Sequence, residues 1–154
     1  MTAGDFLNYQ KAEQTIEKLL NTRPASTVLQ EIVDVLYEEF EKYSWVGIYR
    51  VEGDALVLGP WKGTQATEHT RIPLGCGVCG AAASSGKTEL VDDVSQDKRY
   101  LSCFVSTRSE IVVPIKKSQV ILGEIDVDSD RPAAFDAADV VFLEKVADML
   151  SSHI

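Results

Sequence analysis

The sequence predicts an α+β fold of the α/β class, with a central antiparallel sheet and helices on both of its faces. Three observations predict it. Two pairs of β-rich runs each flank a tight polar turn, which is a hairpin signature and makes neighbouring strands antiparallel. Apolar residues recur at helical spacing near both ends of the chain. A length of 154 residues suits one domain with a single sheet.

Residues 5–22 carry Leu7, Ala12, Ile16, Leu19 and Leu20 at helical spacing, and Arg23-Pro24 breaks that pattern. Ser26 is a candidate N-cap for a second helix. Its apolar face is Val28, Leu29, Ile32, Val33, Leu36 and Phe40, ending near Tyr43. "SWVGIYRV" and "ALVLGPWKG", separated by "EGD", read as a first hairpin. Residues 64–73 are polar and read as a loop. Residues 77–85 read as a short helix that starts after glycines and stops at Gly86. "TELVDDV" reads as a short strand and "SQDKRYLSC" as a loop. "SEIVVPIKKSQVILGEIDVDS" is a second hairpin around "KKSQ". In the last helix, Asp136 is the candidate cap, and Ala138, Val141, Phe142, Val146 and Met149 form the stripe. The expectation is one domain over 1–154. Its N-terminal helices span about 5–43, its sheet and catalytic loops about 44–129, and its C-terminal helix about 136–153.

A net charge of -9 repels phosphate backbones and anionic lipid, so neither nucleic acid nor membrane is an expected partner. No apolar run is long enough to span a bilayer, and the first residues lack the basic and apolar regions of a signal peptide. The expected location is the cytoplasm. Three cysteines in such a chain are free or catalytic thiols before they are structural disulfides.

Asp126 and Asp128 lie among apolar neighbours in "GEIDVDS", and strand alternation puts them on one face. With "KKSQ" as the turn, Glu110 falls opposite Asp126 to within one residue, so three carboxyls converge. Covered by helices, they repel one another and lose hydration, which raises at least one pKa. A carboxyl kept protonated is a general acid, and ionised neighbours bind an ammonium group. Cys103 precedes Glu110 by seven residues, so a loop can bring its thiol over the patch. Thiol and acid together point to reductive thiol chemistry.

Cys76-Gly-Val-Cys79 leaves three readings open. They are a thioredoxin-like dithiol, a zinc site completed by Cys103 and His69, and a recycling partner for Cys103. The antiparallel hairpins disfavour the first, and a lone C-x-x-C weakens the second.

With "WVGIY", "LVLGPWKG", "RIPLGCGVCGAA", "VDDV", "SEIVVPI" and "GEIDVDS" in this order, the chain resembles the free methionine-R-sulfoxide reductases, a family of GAF-domain enzymes. The resemblance implies an oxidoreductase that converts free methionine-(R)-sulfoxide to methionine. Cys103 matches the attacking cysteine, which becomes a sulfenic acid. Glu110, Asp126 and Asp128 match the pocket carboxylates. Trp45 and Tyr49 match the aromatic wall, with Leu101 among the substrate-binding positions. Cys79 matches a second family cysteine, available for disulfide formation; Cys76, outside the family pattern, is a candidate relay or resolving thiol beside it. Thioredoxin is the implied reductant, a homodimer the implied assembly, and no metal or cofactor is implied. His69 stands where many members carry a further cysteine, and Cys76 where a basic residue is usual. The alternative reading is a non-catalytic GAF domain that senses a small molecule.

Overall fold

The computed structural model describes residues 3–101, 104 and 106–154. Helices α1 (Ala3–Thr22) and α2 (Ala25–Glu39) lead into strands β1 (Trp45–Glu52), β2 (Ala55–Gly63) and β3 (Arg71–Pro73). Helix α3 (Gly77–Ser85), β4 (Glu89–Val91), β5 (Ser109–Lys117), β6 (Val120–Ser129) and helix α4 (Ala137–Leu150) follow. The strands form one sheet in the order β3-β2-β1-β6-β5-β4, and every neighbouring pair is antiparallel.

Strand alternation sorts the sheet into two cores. Val46 and Ile48 of β1, Ile111, Val113 and Ile115 of β5, and Ile125 and Val127 of β6 face one way. They pack on α1, α2 and α4 through Ile16, Ile32, Leu36, Phe142, Leu143 and Val146. Trp45, Tyr49, Leu56 and Val112 face the other way, against Val78, Cys79 and Ala82 of α3. This second face is covered by one nine-residue helix and by the loop that carries Leu101 and Phe104. Among the described residues no helix is long and apolar enough to cross a membrane.

Four local expectations change. The N-cap of α2 is Pro24, whose φ of -68° suits a helix entry, and Ser26 sits inside the helix. The helix ends at Glu39, because Phe40 turns to an extended backbone. Its ring then packs against Tyr9, Tyr43 and Phe142, with centroids 5.2, 4.7 and 5.3 Å away. Arg71–Pro73 pairs with β2 as a strand, because three residues are too few for a periodic signal. In α4 the buried face is Phe142, Leu143, Val146, Ala147 and Leu150, while Val141 is 67% exposed. A charged residue on that face, Asp139, hides it from an apolar-stripe reading. Asp136 does cap α4, in a capping box with Asp139.

Candidate active site

Register in the second hairpin places the acidic side chains. Ser118 and Gln119, with φ of 51° and 69°, form the two-residue turn between β5 and β6. A bulge follows between Ile115 and Lys116. Glu110 therefore pairs with Asp128, and Asp126 pairs with Val112. The expectation of Glu110 opposite Asp126 is corrected by two residues. The turn's position accounts for one of them and the bulge for the other. Because the displacement is even, the acids stay on the face that the alternation predicts.

The neighbouring strand supplies the wall. Trp45 lies opposite Asp128, Gly47 opposite Asp126, and Tyr49 opposite Glu124. A Cβ at Gly47 would meet Cη2 and Cζ3 of Trp45 at 2.3 and 2.6 Å, so only glycine lets the indole lie across the strand. Trp61 stacks on that indole with centroids 6.2 Å apart, and Phe104 tilts against it at 5.8 Å. The Tyr49 hydroxyl donates to the His69 carbonyl at 2.8 Å.

The glycine turn before α3 aims its two thiols differently. Gly77 takes a φ of +67°, and a Cβ there would also strike Leu101 at 2.8 Å. Cys76 is exposed at the N-cap of α3, while Cys79, in the first turn, is buried. The Cys79 thiol donates to Asp126 Oδ2 at 3.3 Å, with Glu110 Oε1 at 3.8 Å. A cavity of about 10 Å³ lies among Cys79, Glu110, Asp126, Tyr49 and Leu101. A larger one of about 410 Å³ is bordered by Trp45, Phe104 and Thr107. The Thr107 hydroxyl donates to Asp128 Oδ2 at 3.4 Å, which links the larger cavity to the acids.

Glu110, Glu124, Asp126 and Asp128 are all buried. Burial raises the carboxyls of Glu124, Asp126 and Asp128 above their ordinary range. The Asp126 charge raises Glu124 and Asp128 further. Burial also pushes the Cys79 thiol well up, and the charges of Asp126, Glu124 and Glu110 add to it. Both oxygens of Glu124, and Oδ1 of Asp126 and of Asp128, have no hydrogen-bond partner among the described residues. Cys79, Glu110 and Asp126 each offer a donor atom within 4.8 Å of the others, a spacing that could hold a metal ion.

Of the residues expected from sequence, Glu110, Asp126, Asp128, Cys79, Trp45, Tyr49 and Leu101 converge on this face. Cys76 stands apart at the surface. Cys103 lies outside the described residues. Sequence reading missed Glu124, Thr107 and the packing of Phe104. Glu124 shares the alternation of Asp126 and Asp128 in "GEIDVDS", and that signal could have found it.

The GAF-domain family model matches residues 24–154. Protein YtsP of Bacillus subtilis is 38% identical over 122 residues, covering 78% of this chain and 74% of that protein. The type II free methionine-R-sulfoxide reductase from Thermoplasma acidophilum superposes with a TM-score of 0.81 at 38% identity, over 88% of this chain and 94% of that one. The free methionine-R-sulfoxide reductase from Neisseria meningitidis, solved with its substrate, gives a TM-score of 0.88 at 36% identity, over 94% and 87%.

Proposed function

The chain belongs to the GAF-domain family of free methionine-R-sulfoxide reductases, and on that footing we propose that it reduces free methionine-(R)-sulfoxide to methionine. The observation that carries the reading is the set of buried carboxyls beside an aromatic wall. A sulfoxide accepts a thiol only when its oxygen is protonated, and a carboxyl held above its usual range keeps the proton that this needs. An ionised neighbour pairs with the substrate's ammonium. Trp45 and Phe104 offer apolar surface to the methyl-thio end. At about 410 Å³, the adjoining cavity is of the size that small ligands occupy.

In this mechanism the Cys103 sulfur attacks the sulfoxide sulfur. A carboxyl among Glu110, Asp126 and Asp128 protonates the oxygen, methionine departs, and Cys103 is left as a sulfenic acid. The chain on both sides supports that role, because Leu101 lines the small cavity and Phe104 packs on Trp45. Cys79 then attacks the Cys103 sulfur and expels water, so two thiols are oxidised for each sulfoxide reduced. Exposed Cys76 exchanges with that disulfide, and thioredoxin reduces the resulting Cys76–Cys79 bond. A cytoplasmic homodimer completes the reading.

Methionine release from the separate R and S sulfoxides, with dithiothreitol, tests it. The wild type should consume the R form alone, and Cys103→Ser should consume neither. Equal use of both isomers, or an active Cys103→Ser, rejects it. Resolution is tested with thioredoxin as reductant, where Cys79→Ser should stall after one turnover. Sustained turnover by that variant would remove Cys79 from the pathway.

A further inference from the structure

Glu124 belongs to the acidic face, yet the reductase mechanism gives it no task. It has no exposed surface, and neither of its oxygens has a hydrogen-bond partner among the described residues. Its charge acts on the Cys79 thiol, which with Glu110 and Asp126 forms a group whose donor atoms lie within 4.8 Å of one another. Ionising a buried carboxyl that has no partner costs several kcal/mol, so burial holds Glu124 toward its protonated form. A cation relieves that cost for several acids at once.

The spacing says which kind of cation. Tetrahedral zinc holds a thiolate sulfur at about 2.3 Å and a carboxylate oxygen at about 2.0–2.2 Å, so the two ligand atoms stand about 3.5–3.7 Å apart. The Cys79 sulfur lies 3.3 Å from Asp126 Oδ2 and 3.8 Å from Glu110 Oε1, on either side of that value. A thiol among the donors disfavours magnesium and calcium, which take oxygen ligands, and favours a zinc-like ion. The cavity of about 10 Å³ that touches Cys79, Glu110 and Asp126 has room for one small atom.

We propose that Cys79, Glu110 and Asp126 bind a thiophilic divalent cation of the zinc class that competes with the substrate, with the Glu124 carboxyl as a neighbouring charge that strengthens the site. The ion displaces the Cys79 proton to solvent and occupies the carboxyls that would otherwise meet the sulfoxide and its ammonium. It also withholds Cys79 from disulfide formation, so the bound form is an inhibited enzyme. The competition rests on the reductase reading, whereas the binding does not.

Cobalt reports the site directly, because a thiolate-cobalt bond absorbs in the near ultraviolet. In the full-length Cys76→Ser/Cys103→Ser variant, Cys79 is the sole thiol. One equivalent of Co²⁺ should produce that absorption, Zn²⁺ should bleach it, and added Glu124→Gln should weaken Co²⁺ binding about tenfold. Methionine-(R)-sulfoxide should displace the ion. Circular dichroism confirms that each variant is folded. Absence of the band in folded protein overturns the site. An affinity unchanged by Glu124→Gln overturns the part given to the Glu124 charge. A band that saturating sulfoxide leaves intact overturns the competition. Metal-free wild type that reduces the R-sulfoxide while the variant shows no band would sink the cation and leave the reductase standing. A band together with an inactive wild type would do the reverse.

Discussion

Asp139 of α4, with no exposed surface, accepts hydrogen bonds from the Tyr9 hydroxyl at 2.9 Å and the Tyr43 hydroxyl at 2.7 Å, and pairs with Lys42 Nζ at 2.5 Å. Asp139→Ala leaves two buried phenols without their acceptor and the Lys42 ammonium with only the Ala134 carbonyl among the described residues. We expect a loss of about 3–5 kcal/mol, read as a lower urea midpoint. The acids of the opposite face differ in kind, since oxygens of Glu124, Asp126 and Asp128 lack partners among the described residues. In sequence, Asp139 and Glu124 look alike, each an acid among apolar neighbours. Partners brought in from α1 and from the segment after α2 make one of them structural, and that information is not local. Gly47 makes the same point without charge. A methyl group there would strike the Trp45 ring, so Gly47→Ala should cost about 1–3 kcal/mol and displace the wall. The checks are the melting temperature and a raised KM for the sulfoxide.

The β5–β6 hairpin carries every acid of the candidate site, so its register is the element on which the chemistry depends. Its turn uses Ser118 and Gln119 with positive φ, where Asn-Gly is the favoured pair. Ser118→Asn/Gln119→Gly should stabilise the protein by about 1–2 kcal/mol, read by thermal melting, with turnover unchanged. That an acidic face exists was legible, because alternation in "GEIDVDS" depends only on the strand. Which acid stands beside which was not. The bulge between Ile115 and Lys116 follows from how the strand twists against its neighbours, and no residue there signals it. Helix α4 behaves alike: Asp136 marks its start, but the face it buries is chosen by the partners of Asp139.

Across the whole molecule the sheet separates a thick core under α1, α2 and α4 from a thinner one under α3 and its neighbouring loop. Stability belongs mainly to the first and the candidate site to the second, so the site's buried acids are carried by the larger core. That core has its own pH limit. Burial, then the Asp139 charge, raises the hydroxyls of Tyr9 and Tyr43 above their ordinary range. The fold therefore favours the protonated phenols. Their contribution is complete below about pH 10, the unfolded value, and is lost as pH rises beyond it. Urea midpoints measured from neutral to strongly alkaline pH should fall on the alkaline side, and Tyr43→Phe should fall less steeply there.

The sequence by itself determined the kind of elements, the antiparallel sheet, the face on which Asp126 and Asp128 lie, and the family, because strand and helix periodicity and short motifs are local properties of a chain. Only the tertiary structure decided that Glu110 pairs with Asp128, that Cys79 rather than Cys76 meets the acids, and that Glu124 joins them. Those outcomes depend on a bulge, on a glycine turn that rotates α3, and on burial, each of which arises only when distant segments pack together.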